Sequence, residues 1–539
     1  MAVTVTDLRT TRDEADATTG WTGTTSLITS DPDPVEATGC VGAAVSTAIL
    51  DGYHSGASVD LSDSLIYVWA LGNGTMATRL NDGIALHLGD GTNRISFRLA
   101  GSDRAAFRHA EGPVGWQCLV VDGANLPSDF GVRAGSRANL NMSAITQIGI
   151  TFRTLSKALG GATNCFIDII RHGSVEALQI TGGTSGDPGK FDEIVLLDRS
   201  TANQRAHGVI RELGAALYGL QGPLRFGNPT SGDTYFLDTN ATVNFEARGF
   251  STTRYRITVV RGTGSTHFQL GEKVGADGGA DGCTIAAAPG VGAEFDADTE
   301  TDPTDVLIYA SVLRGFTTGL GFQSGHEVIA SQIDASGTIR AGGASFLNTR
   351  ITGSTAASAM LWNVATDPNL RLAGVRFASG AGGHALELGP NCPTDITLAD
   401  VGFAGYGAAD TTNAAVYNNS GKHITINVLG GAAPTIRNGA GASTTVVAAL
   451  EVRLTGIVDG STVAIIAEAG GPAPEGEVFY LDTNVTGGTV VYAHNDQGTQ
   501  PILIRVRRST TPPLYRPWKL SVAIDGQNLN IPVNQELDQ

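Results

Sequence analysis

Three strand-like segments recur at a fixed step of 26 residues: Arg350-Ile351, Arg376-Phe377 and Gly402-Phe403. Each ends a short apolar–polar alternation, as in Leu372-Ala373-Gly374-Val375-Arg376-Phe377. Met360 and Leu386 keep the same step, and Val416 slips from it by four, as an insertion at Gly405–Asp410 would cause. A fixed period in this range means stacked supersecondary units. Alternation inside each unit means strands rather than helices. With Gly-, Asn- and Thr-rich corners, residues 306–450 read as a right-handed parallel β-helix, each rung buried against its neighbours. Ile351, Phe377 and Phe403 are expected in one inward column.

A chain of 539 residues exceeds one ordinary core. Its 71 glycines and the absence of long helical patterns point to an all-β class. Charged residues make up 16%, below the roughly 25% of an average soluble domain. Hydrophobic residues make up 41%, so the chain is not a disordered one. A low charge fraction suits a surface covered by identical partners or by loops of small polar residues, and a homo-oligomer is expected. The net charge of −17 argues against nucleic acid, whose phosphates demand Lys and Arg clusters, and against anionic lipid.

Residues 1–175 read as an antiparallel sandwich. Ile84, Leu86 and Leu88 alternate, Gly89-Asp90-Gly91 turns, and Ile95, Phe97 and Leu99 alternate back, a strong hairpin signal. Further strands are expected at Leu65–Leu71, Trp116–Val121, Ile148–Phe152 and Cys165–Ile170. Such spacing suits a jelly roll of concanavalin type. Residues 176–305 read as a β-rich connecting region in which only Ala202–Leu220 has room for a short helix. Residues 451–539 read as a terminal β cap.

A second repeat links the middle to the end. Tyr235-Phe236-Leu237-Asp238-Thr239-Asn240-Ala241-Thr242 returns as Phe479-Tyr480-Leu481-Asp482-Thr483-Asn484-Val485-Thr486. Arg256–Arg261 and Ile502–Arg507 follow as similar runs. The expectation is a duplicated β module capping both ends of the solenoid. Asp238 and Asp482 should each turn the chain by accepting from the backbone two residues on.

No carboxylate pair stands out. A glycosidase needs two carboxyls about 5–10 Å apart in a groove. Asp305, Glu327, Asp334, Asp367, Glu387 and Asp400 lie on or near the rungs without forming a motif. Glu294, Asp296, Asp298, Glu300, Asp302 and Asp305 alternate as calcium ligands can, but without the glycine and closing glutamate of an EF-hand. That run reads as a solvated loop, with a structural cation as the alternative.

The five cysteines (Cys40, Cys118, Cys165, Cys283, Cys392) are scattered and read as buried small hydrophobes. The ten histidines, His109, His172 and His207 among them, form no ligand pair. There is no nucleophile elbow and no phosphate loop. Trp69 and Trp116 sit on sandwich strands as core residues, with a sugar platform as the alternative. No catalytic, cofactor or metal residue is assigned.

Several phrases occur together: Phe166-Ile167-Asp168-Ile169-Ile170-Arg171-His172-Gly173, Phe191-Asp192-Glu193-Ile194-Val195, Tyr218–Gly227, Phe268–Val274, and the closing Ile504–Ser509 with Tyr515-Arg516-Pro517. Their succession resembles tailed-bacteriophage virion structural proteins, in which a lectin-like sandwich precedes a β-helical body. The resemblance implies a non-enzymatic appendage, a tail fibre or spike, built as a homotrimer or ring together with other virion proteins and contacting a host surface glycan. A head-decoration or connector-ring protein is the alternative placement, and a capsule-degrading depolymerase is the rival class. The N-terminus carries no secretion signal and no segment reaches a membrane span. The expected location is the virion, assembled in the host cytoplasm.

Overall fold

A computed structural model describes residues 3–23, 26–28, 39–45, 50–72, 84–98, 116–152, 163–173, 176–198, 208–227, 233–237, 240–246, 252–260, 266–272, 282–298, 305–380, 382–431, 433–448, 450–494, 499–508, 512–524 and 528–538. It is 57% strand and 3% helical, with large, mostly parallel sheets, so the fold class is all-β as expected. Two compact units divide the chain: residues 1–361 with 379–383, and residues 362–378 with 384–539.

The first unit opens with two antiparallel sheets. One runs Gln117–Asp122, Leu65–Gly72, Thr163–Gly173, Cys40–Val45, Ser26–Ile28. The other runs Asp129–Ala134, Arg94–Arg98, Ile84–Gly89, Ile145–Phe152, Leu50–Val59, Trp21–Thr22. Both send alternate side chains into one cluster that includes Val68, Val121 and Ile167 from the first and Leu86, Phe97 and Ile150 from the second. The expected hairpin forms with Leu88 opposite Ile95 and Leu86 opposite Phe97. Asp90 holds its turn by accepting from the backbone N–H of Thr92 and Asn93 at 2.9 and 2.7 Å.

From Leu178 the same unit changes to parallel pairing, and the chain visits three sheets in turn. In the first, Leu224, Ile257, Phe295, Leu320, Ile339 and Met360 are successive partners. In the second, Leu237, Leu270, Ile308, Val328 and Phe346 follow one another. In the third, Val243, Ile285, Leu313, Ile333 and Ile351 do so. All these side chains are buried. Parallel pairing therefore extends well upstream of residue 306. The step is not constant. It is 33 residues from Leu224 to Ile257, 20 from Leu313 to Ile333 and 18 from Ile333 to Ile351. Sheet pairing fixes where each strand lies, while the loops between strands are free to vary.

Two columns of left-handed corners shape these short turns. Ala310, Ala330 and Asn348 have φ of 48°, 51° and 51°; Gly315, Ala335 and Gly353 have 76°, 49° and 62°. The reversal aims the Ala310 N–H at the Ile329 carbonyl (3.0 Å) and the Ala330 N–H at the Leu347 carbonyl (2.8 Å). A buried hydroxyl follows each corner of the first column. Ser311, Ser331 and Thr349 donate to the carbonyls of Tyr309, Ile329 and Leu347 at 2.7, 2.9 and 3.2 Å. At Ile329 and Leu347 the hydroxyl adds a second bond to a carbonyl that already accepts from the Ala310 or Ala330 N–H.

The second unit also has parallel pairs. Arg376 pairs with Gly402 and Phe377 with Phe403, the 26-residue step itself. Leu386 pairs with Val416, so the slip of four seen in the sequence is a real loop excursion. Phe377 is buried but Phe403 is only half-buried, so the expected column is incomplete there. Antiparallel strands follow: Val478–Val485, Ser461–Ala467, Gln500–Arg508 and Tyr515–Ile524 form one sheet in that order. Leu450–Thr455 lies between Thr489–His494 and Leu529–Pro532. Val463, Ile465, Ile504, Val506, Leu454 and Val490 share their core.

Two expectations fail. The duplicated module does not share a fold. Thr234–Leu237 and Thr252–Val259 pair in parallel with successive turns, whereas Val478–Val485 and Gln500–Arg508 both pair antiparallel with Ser461–Ala467. A short alternating run fits either ladder, and the surrounding chain decides which. Asp482 does accept from the Asn484 N–H at 2.9 Å; Asp238 lies outside the described residues. The described part of Ala202–Leu220 is not helical but a hairpin of Ile210–Gly214 with Leu217–Leu220. The one described α-helix is Phe191–Asp198, whose first turn carries Asp192 and Glu193, acids that favour a helix N-terminus.

Candidate functional site

The acids singled out in the sequence are spread along the parallel strands and their connections, and each binds a neighbouring strand or loop. Asp305 meets His267 Nδ1 at 2.8 Å, and this bond raises the His267 pKa against the opposing effect of burial. Glu327 accepts from the Tyr309 hydroxyl at 3.0 Å. Asp334 accepts from Arg314 Nε at 3.0 Å on one side and Thr352 Oγ1 at 2.8 Å on the other. Asp367 accepts from the N–H groups of Asn369 and Thr397, and Glu387 from Asn419 Nδ2 at 2.8 Å. Asp400 makes a two-pronged pair with Arg376 Nη2 at 2.8 and 2.9 Å.

The alternating acidic run behaves in the same way. Arg340 reaches Asp298 at 2.6 and 3.0 Å and Glu294 at 3.3 Å, and Arg256 also meets Glu294 at 3.3 Å. Asp296 is buried, and Glu300 and Asp302 lie outside the described residues. Among the described residues no group of three or more His, Cys, Asp or Glu is placed to hold a metal ion. These carboxylates tie turn to turn.

Trp69 and Trp116 are buried in the first unit and offer no exposed platform. Trp362, also buried, donates to the Thr366 carbonyl at 2.8 Å. Cys40, Cys118, Cys283 and Cys392 are buried thiols, and burial pushes Cys40 and Cys392 up to about 12. Cys40 and Cys392 are therefore protonated at neutral pH and poor nucleophiles.

The structure gathers one group that the sequence does not. Leu8, Thr10, Asp60, Ser64, His172, Gly173 and Glu176 line an open cleft of about 650 Å³. Burial, with the nearby Arg12 charge, lowers the His172 pKa, so the ring is neutral at pH 7. The Ser62 hydroxyl and N–H both donate to Asp60 and hold its pKa down. Glu176 pairs with Arg225 at 3.1 Å. The cleft therefore presents two carboxylates, one neutral imidazole and two hydroxyls, a set suited to hydrogen bonding. Nothing in the spacing of residues 8, 60, 172 and 176 marks them as neighbours. Sheet pairing brings them together: Thr10 lies opposite His172 in the Thr10–Asp13 and Thr163–Gly173 pair.

No protein-family model matches the chain, and no curated protein matches it.

Proposed function

We propose that this chain is a non-enzymatic structural protein of a bacteriophage virion, an appendage of the tail-fibre or spike type. In this reading the two antiparallel sheets are a lectin-like sandwich of jelly-roll kind. The three sheets visited in turn are a right-handed parallel β-helix, and the final antiparallel strands are its cap. The observation that carries the proposal is the use made of the carboxylates. Asp305, Glu327, Asp334, Asp367, Glu387 and Asp400 each bind a neighbouring strand or loop, a mechanical rather than a chemical employment. Stacked turns stapled in this way suit a load-bearing body. The cleft at Asp60, His172 and Glu176 is where a host glycan would be held, since carboxylates accept from sugar hydroxyls.

The test is immunogold labelling of particles released on lysis, with antibody raised against this chain. Label on a projecting appendage is expected. Label confined to the head or its connector would select the decoration or ring placement. Absence of the chain from purified particles overturns the proposal. Release of new reducing ends from purified capsule by the isolated protein would instead establish the depolymerase reading.

A further inference from the structure

The sheet of the C-terminal strands has two different edges. Val478–Val485 forms one and Tyr515–Ile524 the other. Among the described residues, the first pairs only with Ser461–Ala467. The second pairs with Gln500–Arg508, and its beginning is also closed by the Tyr515–Leu537 bridge. The Arg516 N–H donates to the Glu536 carbonyl and Pro517 supplies no N–H, so the stretch open to a partner is Trp518–Ile524.

An open edge is usually protected by charge or irregularity. The first edge instead shows apolar side chains, with Val478 54% and Leu481 60% exposed. Register across the sheet sets the two edges level. Tyr480, Ile465, Ile504 and Leu520 lie in one row; Leu481, Ala464, Arg505 and Lys519 in the next; Asp482, Val463, Val506 and Trp518 in the third. The first edge is flanked by the exposed acids Glu475 and Glu477, and the second by the exposed bases Arg505 and Lys519, while Arg516 is paired with Asp538 and Ser521 donates to Glu468.

We propose that the first edge of one copy pairs with the second edge of the next, head to tail, closing a ring of identical chains. Copies related by rotation about an axis along the strands keep their strand directions, so the joint is antiparallel. With no shift of register, half-buried Tyr480 meets half-buried Leu520. Leu481 covers the alkyl stem of Lys519, and the Asp482 carboxylate lies level with the Trp518 indole. Main-chain hydrogen bonds supply affinity, and side-chain matching supplies specificity. Opposite fields on the two edges steer the encounter and reject the like-edge joint. This inference rests on the homo-oligomer expected from the sequence and names its interface.

Sedimentation of the purified full chain at several salt concentrations tests it. Wild type is expected as an oligomer that loosens with salt. The variant E475K/E477K has two basic edges, and R505E/K519E has two acidic ones. Each is expected to weaken association by at least about tenfold, a change of about 1.4 kcal/mol. The fourfold swap carrying all these changes restores opposite edges and is expected to restore assembly. Leu481→Lys, at an exposed position level with Lys519, sets like charges across the joint and weakens it without altering the basic edge. Circular dichroism and melting of each variant show that the sheet is intact. A monomeric wild type overturns both the joint and the homo-oligomer reading. An oligomer unmoved by either reversal overturns the joint alone. Dissociation by the reversals without rescue by the swap overturns self-pairing, and then the edges serve a different protein.

Discussion

Phe377 and Phe403 stack with ring centroids 5.7 Å apart and planes 5° from parallel, one directly above the other in paired strands. Their 26-residue separation is the repeat seen in the sequence, and the contact is its physical content. Phe377 is 1% exposed while Phe403 is only half-buried, so their contributions differ. Phe377→Ala is expected to cost about 3 kcal/mol, as for other buried Phe deletions. Phe403→Ala should cost less. A double-mutant cycle by urea denaturation should give a coupling of roughly 1 kcal/mol. Additive losses would mean that the rings touch without interacting.

The left-handed corners predict opposite effects of small and branched residues. Ala330 sits at φ 51°, where an L residue is disfavoured by roughly 1–2 kcal/mol. Ala330→Gly removes that cost but loosens the unfolded chain by about 0.5–1 kcal/mol, for a net gain of roughly 0.5 kcal/mol. Ala330→Val, branched at Cβ, should lose about 1 kcal/mol or more. Thermal melts of the pair decide the matter. Equal melting temperatures would show that the corner is not held in this conformation.

His87 makes the antiparallel part of the first unit sensitive to acid. It is fully buried and stacks on Tyr53 at 4.5 Å between centroids. Burial pushes its pKa down to about 4, against the Asp51 charge that raises it and with Arg94 and Arg133 adding to the depression. An unfolded chain takes up that proton near pH 6.5 and the folded one does not. Stability is therefore full above pH 6.5 and falls as pH drops toward 4, by up to about 3 kcal/mol. His87→Gln should flatten the slope between those limits. An unchanged slope in pH-dependent denaturation would place the acid sensitivity elsewhere.

Arg254 joins the parallel strands of the first unit to its antiparallel sheets. From strand Thr252–Val259 it donates to Asp122 at 2.9 Å and also pairs with Asp63. Asp122 is 0% exposed, so removal of the guanidinium leaves a buried carboxylate with fewer partners. Arg254→Ala is expected to cost about 2 kcal/mol. Asp63→Ala should cost little, since Asp63 is 75% exposed. Limited proteolysis should find faster cutting of the first unit in the former variant only.

Alternation and punctuation alone made the strands legible. The Asp-Gly hairpin and the runs at Leu65, Trp116 and Ile148 need only neighbouring residues to declare them, and they form where expected. The step from Phe377 to Phe403 and the slip at Val416 were legible for the same reason. The start of the parallel stack was not, because from Leu178 to Val312 loops of unequal length hide the period that pairing imposes. The corner signal was in plain view, as Tyr309-Ala310-Ser311, Ile329-Ala330-Ser331 and Leu347-Asn348-Thr349. Its meaning depends on a positive φ that alanine rarely adopts. The Tyr-Phe-Leu-Asp-Thr-Asn likeness misled, because similar short alternating strands accept either parallel or antiparallel partners. What the sequence alone determined was strand character and local turns, which are set by residues a few positions apart. Only the tertiary structure decided which carboxylate meets which arginine, and which strand edges stay open. Those depend on register between strands that lie 20 to 40 residues apart or more along the chain.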